Sequence, residues 1–248
     1  LLSRRQRQMC IRDREKAKAI IAGADAESRD TLTTKASIAL LDAYGVRVCR
    51  SALAKTEDEA VAIANSIGYP IVMKMTSKTT SHKTDVGGVR VGIASEEALR
   101  REYRDLIAKL TERGLDKGLE GVLIQEMVKS SREMVCGLAT DPQYGPMIMF
   151  GLGGVFVEVL KDISFRIAPL TDQDASEMVR SVKAWKLLEG VRGLPRAQTD
   201  KIEETLLRLS QLVTDFPRVS ELDINPLMIS DKDGEAIAVD ARVKLAKA

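Results

Sequence analysis

The chain has 248 residues, 44% apolar and 30% charged, enough for one large domain or two modest lobes with proper cores. Its 38 basic and 36 acidic side chains leave a net charge of +2, which excludes the strong basic excess of a dedicated nucleic-acid binder. Four tyrosines, four phenylalanines and one tryptophan are too few for a base-stacking platform. The longest apolar run, Met147 to Leu160, is broken by glycine and glutamate, so no membrane span is expected.

Residues 1–14, LLSRRQRQMCIRDR, carry five arginines with no apolar stripe and no turn chemistry joining them to Glu15 and beyond. They read as a non-native or disordered leader without function, similar to a translated adapter remnant, and they lack the apolar core and cleavage site of a secretory signal. From Glu15 the pattern becomes regular. EKAKAIIAGA predicts a short helix, and LTTKASIALLDAYG predicts a second that starts at a threonine cap and stops at Gly45. VRVCRSAL alternates as a strand. Thr56-Glu57-Asp58-Glu59 is a capping box opening a helix through Ile67, with Gly68 ending it. Pro70 to Met75 predicts a buried strand, followed by a polar stretch from Thr76 to Asp85. Val89–Ile93 predicts a strand and Ser95–Arg113 a long charged helix.

The second half is richer in strands. Gly121–Met127, Glu133–Ala139, Met147–Phe150, Val155–Val159 and Ser164–Ile167 alternate with turn signals such as Asp141-Pro142 and Gly151-Leu152-Gly153-Gly154. Helices are predicted at about Asp172–Lys183 and Asp200–Thr214. Glu221–Ile229 and Glu235–Val243 then form two strands joined by a Ser-Asp-Lys-Asp-Gly turn. The expected fold class is α+β, with mixed or antiparallel sheets flanked by helices. Two lobes are expected, 15–125 and 126–248, with a hinge near residues 125–130.

Three constellations carry candidate chemistry. Lys74 sits in an otherwise apolar strand, where an ammonium must emerge at an edge or find a buried anion such as a nucleotide phosphate. His82 is the only histidine and lies in Ser81-His82-Lys83-Thr84-Asp85-Val86-Gly87-Gly88. It is either a solvated loop residue or a carrier of a phosphoryl group, with Lys83, the hydroxyls and the amides of Gly87 and Gly88 beside it. Glu221, Asp223 and Asn225 share one face of a strand by period-2 alternation, and Asp240 interrupts the facing strand. That arrangement fits either a half-exposed hairpin or a Mg2+ site with two protein ligands plus phosphates and water. Gly121–Val128 is an apolar strand whose end could hydrogen-bond an adenine edge. Cys10, Cys49 and Cys136, odd in number and far apart, indicate neither a disulfide framework nor a metal cluster and leave the reducing cytoplasm as the expected compartment.

Taken in order, SHKTDVGG, REMVCGLATDPQYGPMIMFGLGGVFVEVLKDISFRIAPL, GVRG, ELDINPL and AVDARV resemble the ATP-grasp family. Within it they are similar to the β subunits of ADP-forming acetyl-CoA synthetases, the nucleoside-diphosphate-forming acyl-CoA synthetases related to succinyl-CoA synthetase. The resemblance covers Glu15 to Leu245. It implies a two-lobed ATP-grasp fold that binds ATP or ADP with Mg2+ between its lobes. It also implies that acyl-CoA, phosphate and ADP are interconverted with free acid, CoA and ATP through phosphohistidines.

By the same resemblance, His82 is the histidine that ferries the phosphoryl group to the nucleotide, and Asp223 steadies a partner's phosphohistidine. Asn225 and Asp240 are the Mg2+ ligands, Lys74 reaches the nucleotide phosphates, Gly87 and Gly88 line the phosphate loop, and Gln125, Glu126 and Val128 belong to the adenine hinge. Transfer of this kind is mostly positioning and neutralisation of phosphoryl charge. No Gly-x-Gly-x-x-Gly unit occurs, so a CoA-binding α subunit or domain is expected as partner. The alternative is a non-catalytic ATP-grasp-like regulatory module of a fused protein acetyltransferase.

Overall fold

The structure is a computed structural model that describes residues 13–77, 87–115, 118–154, 161–190 and 193–246. It divides into two compact units: one holds the residues up to Val48 and from Val128, the other Cys49–Met127.

In the unit of residues 49–127 the described strands are β1 (Ser51–Ala54), β2 (Ile71–Ser77), β3 (Val89–Ile93) and β4 (Leu119–Glu126). They form one antiparallel sheet in the order β1-β4-β2-β3. Two helices, Glu57–Ile67 and Glu96–Glu112, cover one face. Each starts where a hydroxyl satisfies a free amide: Thr56 accepts from Glu59 N at 3.2 Å and Ser95 from Ala98 N at 3.2 Å. The expected capping box is offset by one residue, because the Glu59 carboxylate accepts from Lys55 N at 2.6 Å rather than from the Thr56 amide. Ala60, Val61 and Ala64 of the first helix and Leu99, Leu106 and Leu110 of the second pack against Ile71, Met73, Met75, Val122 and Ile124. Alternation along β2 therefore sends Met73 and Met75 into this core and turns Val72, Lys74 and Thr76 to the opposite face.

The other unit is built on β5 (Arg132–Asp141), β6 (Gly145–Leu152), β7 (Ile163–Ile167), β8 (Val219–Ile229), β9 (Ala236–Ala238) and β10 (Ala241–Leu245). The order is β10-β8-β5-β6-β7, with β9 also paired to β8, and every named pair is antiparallel. Helices Arg14–Ala26, Thr34–Ala43, Asp172–Ser181 and Thr199–Asp215 bury apolar stripes against Cys136, Leu138, Ile148, Phe150, Leu222 and Ile224. A short helix at Trp185–Leu188, which no periodic pattern predicts, completes the helical layer.

Three expectations are corrected. The lobe boundary expected at 125/126 has a counterpart at 127/128, but residues 15–48 do not belong to the first lobe. Their helices pack in the core of the other unit, and Leu32 N donates to Val243 O at 2.9 Å and Leu245 N to Asp30 O at 2.6 Å. The leader also ends earlier than residue 14. Asp13 caps the first helix by accepting from Lys16 N at 2.7 Å. Arg14 pairs with Asp215 at 3.7 Å and lies 6.0 Å from the centre of the Phe216 ring. Finally, VRVCRSAL is not one strand: Val48 bridges Ala238, while only Ser51–Ala54 pairs with β4. The strand expected at Val155–Val159 lies outside the described residues, as do residues 1–12 of the leader.

Candidate functional site

In the unit of residues 49–127, the sheet face opposite the helices gathers the nucleotide candidates. Lys74 is directly opposite Leu123 on β4 and Val89 on β3, and Gln125 is opposite Val72 and Ser51. Both side chains are buried, and the Gln125 amide lies 2.7 Å from Cys49 Sγ. Burial pushes the Cys49 thiol up to about 11, opposed by the positive charge of Lys74, so Cys49, Lys74 and Gln125 form one cluster. A thiol held neutral in this way packs and accepts rather than reacts. Glu126 is engaged by Arg50, whose Nε lies 3.1 Å from the carboxylate and whose carbonyl accepts the Glu126 amide at 2.8 Å. Gly88 O accepts from Met75 N at 2.8 Å, and Gly87 has φ +68° with its carbonyl bonded by Arg90. His82 lies outside the described residues.

In the other unit, Val128 follows the end of β4, and the metal candidates stand on β8 and the break between β9 and β10. Ile224 pairs with Ala241 and Leu227 with Ala238, so the register brings Asn225 to the level of Asp240. Asp240 Oδ1 accepts from Ala241 N at 2.9 Å, which fixes the carboxylate at the start of β10. Asp223 is directly opposite Arg242 on β10 and Gly137 on β5. Burial first, and then the nearby Asp240 carboxylate, push the Asp223 carboxyl up, with Arg242 opposing. Gly137 has no room for a side chain, since a Cβ would run into Leu222 O. A cavity of about 290 Å³ opens here, lined among others by Asp223, Arg242, Glu221, Lys244, Met149 and Phe165.

The carbonyl oxygen of Asn225 and the carboxylate of Asp240 are hard oxygen donors, as Mg2+ requires. Among the described residues no three His, Cys, Asp or Glu side chains are grouped to hold a metal ion. Two oxygen ligands with the remaining positions left to phosphates and water suit Mg2+ and not a structural zinc. A cleft of about 540 Å³ elsewhere in this unit contains none of these residues. Its charges are matched among themselves: Lys16 with Asp42 at 3.0 Å, Arg47 with Glu235 at 2.8 Å and Arg208 with Glu204 at 2.6 Å.

Reasoning from the sequence misses three neighbours of these groups. Cys49 beside Gln125 and Arg242 opposite Asp223 carry no local signal. Thr76 has one, since it continues the Val72-Lys74 alternation, but its hydroxyl reads equally as the start of the polar stretch after the strand.

Two antiparallel sheets, each flanked by helices on one face and carrying charged or amide side chains on the other, define an α+β class of protein. The chain belongs to the ATP-grasp domain family, which matches residues 23–245. It is 41% identical to the β subunit of ADP-forming acetate–CoA ligase I from Pyrococcus furiosus, over 93% of this chain and 98% of that subunit. It is 45% identical to ADP-forming acetate–CoA ligase I of Archaeoglobus fulgidus over 94% of this chain, but spans only 33% of that longer protein. Among solved structures, the dinucleotide-forming acetyl-coenzyme A synthetase 1 of Ca. Korarchaeum cryptofilum matches with a TM-score of 0.81 and 36% identity. The match covers 93% of this chain and all of that one, in a form with coenzyme A, Mg-AMPPCP and a phosphohistidine segment pointing towards the nucleotide site.

Proposed function

We propose that this chain is the nucleotide-binding component of an ADP-forming acyl-CoA synthetase and moves a phosphoryl group between a partner's phosphohistidine and ADP. The observation that carries this reading is the 41% identity over 98% of an acetate–CoA ligase β subunit. The placement of Lys74 and Gln125 on one buried sheet face, and of Asn225 at the level of Asp240, supports it.

In this reading the Lys74 ammonium holds the nucleotide phosphates, and backbone groups from Gln125 to Val128 meet the adenine edge. Asn225 and Asp240 hold Mg2+, which neutralises phosphate charge. A ring nitrogen of His82 takes the phosphoryl group from the partner's phosphohistidine, whose P–N bond breaks and frees that imidazole. It then yields that group to the terminal oxygen of ADP, the P–N bond breaking as the new P–O bond forms. Asp223, whose carboxyl is pushed up by burial, steadies the partner's phosphohistidine in this reading. The CoA site and the acyl specificity belong to a CoA-binding α subunit or domain, and the working compartment is the cytoplasm. Among the described residues no helix is long and apolar enough to cross a membrane.

The test mixes the chain with the CoA-binding α component of the same genome and measures ATP formed from several acyl-CoAs, phosphate and ADP. The mixture is expected to make ATP and the separate parts are not. A mixture that binds nucleotide but never turns over removes the synthetase reading.

A further inference from the structure

One hydroxyl on the nucleotide-side face is left without a partner. Thr76 is 3% exposed, and among the described residues its Oγ1 is buried with no hydrogen-bond partner. Buried hydroxyls are nearly always paired, because leaving one unpaired forfeits the hydrogen bond it had to water. The position of this one is specific. Thr76 stands two residues beyond Lys74 on β2, so both side chains rise from the same face of the sheet, roughly 7 Å apart at the backbone.

The flanking positions carry no side chains. Thr76 is directly opposite Gly121 on β4. On the other side, the pairing of Lys74 with Val89 and the bond from Met75 N to Gly88 O place Gly87 and Gly88 at its level. Gly121 cannot be replaced cheaply, since its φ of +149° is unsuited to other residues and a Cβ would lie 2.6 Å from Ala54 O. Glycines on both flanks leave the hydroxyl and the ammonium as the polar groups that this stretch of β2 offers. A donor hydroxyl beside an ammonium, bonded to no acceptor among the described residues, is matched to an oxyanion with several lone pairs.

We infer that Thr76 is a phosphate-binding residue of the nucleotide site, donating its hydroxyl proton to an ATP phosphate oxygen beside Lys74. This deepens the proposed function and rests on the reading that the face binds ATP. Because it shares the face of Lys74, the hydroxyl serves the phosphate end of the nucleotide and not the base.

The test measures binding of Mg-ATP, Mg-tripolyphosphate and adenosine to wild type, Thr76→Val and Thr76→Ser by calorimetry, with melting of each protein without ligand. Thr76→Val keeps the branched shape and removes only the donor. It is expected to weaken Mg-ATP and Mg-tripolyphosphate about tenfold, equivalent to about 1.4 kcal/mol, while adenosine affinity and the ligand-free Tm do not fall. Thr76→Ser restores the donor and is expected to restore affinity for both phosphates. Unchanged Mg-ATP affinity in Thr76→Val overturns the assignment and leaves the ATP-binding reading intact. Equal weakening of adenosine and ATP, or a lowered ligand-free Tm, also overturns it, because the hydroxyl would then hold the fold. Wild-type protein that binds no ATP overturns the underlying reading, and this assignment with it.

Discussion

Both sheets bury one face against helices, and both carry candidate site residues on the other, yet those second faces differ in how dry they are. In the unit of residues 49–127, Lys74, Thr76 and Gln125 are only 8%, 3% and 2% exposed. On the six-stranded sheet, Glu221 and Asn225 are exposed, Asp223 is half-buried, and Phe165 remains 47% exposed. The difference matches the chemistry each face is suited to hold. A hydroxyl or ammonium that orients phosphate gains strength when water is excluded, so its burial is useful provided an anion arrives. Mg2+ keeps several waters and loses them reluctantly, so its protein ligands need no dry pocket.

The largest expected effect concerns His82. His82→Asn keeps the polarity of the loop but cannot carry a phosphoryl group. In the reconstituted synthetase it is expected to abolish ATP formation from acyl-CoA, while calorimetry shows ATP affinity unchanged. Normal turnover would remove His82 as the phosphoryl carrier.

Next come the metal candidates, exposed Asn225 and half-buried Asp240, whose substitution separates the two faces most directly. Asn225→Ala and Asp240→Ala are each expected to reduce the Mg2+-dependent gain in ATP affinity roughly tenfold or more, at least the loss typical of disturbing a metal's supporting partner. Metal-free nucleotide binding should be unchanged, because the proposed nucleotide contacts stand on the other, dry face. Identical titrations with and without Mg2+ in both variants would take these residues out of the metal site.

The helix caps provide a control in which the two units should behave alike. Asp13→Ala and Thr56→Ala each delete a side chain that satisfies a first-turn amide, at 2.7 and 3.2 Å. Each is expected to lower unfolding stability by about 1 kcal/mol in urea, with ATP affinity untouched. No loss in Asp13→Ala would return residues 13 and 14 to the leader.

The smallest effect is electrostatic and pH-dependent. Hydrogen bonds from Arg104 and then Arg100 hold the Glu57 carboxyl down to about 2 from its usual 4.5. A depressed acid adds stability above its unfolded value and loses it as pH falls through its folded value. Glu57→Gln should therefore melt lower than wild type near neutrality, with the gap closing between about pH 4.5 and 2. Because the pair is solvent-exposed, the gap should also shrink in high salt. A gap constant with pH would assign the effect to packing.

Periodicity and turn chemistry alone located most of the framework. The long helix at Glu96–Glu112 and the strand at Val89–Ile93 fall within a residue or two of expectation, because caps, apolar spacing and glycines are local signals. Lys74 stood out because a charge in an apolar strand is conspicuous. Asn225 stood out because alternation puts it on one strand face with Glu221 and Asp223, and Asp240 because it interrupts the facing strand. Each of these was legible from a short run of consecutive residues.

Only the tertiary structure decided where distant segments pack. Residues 13–48 carry ordinary amphipathic helices, and nothing in their pattern says that Leu32 will bond Val243 or that Tyr44 will donate to Asp215 at 3.0 Å. Burial of an apolar stripe is non-directional, so the stripe specifies a face to cover but not the partner that covers it. The split of VRVCRSAL has the same cause, since alternation continues unbroken while hydrogen bonding passes from one sheet to the other. Thr76 was likewise ambiguous, its hydroxyl reading equally as part of the strand or as the start of the polar stretch after it. That its hydroxyl lacks a partner is a property of everything packed around it, including Gly121, far along the chain but directly across the sheet.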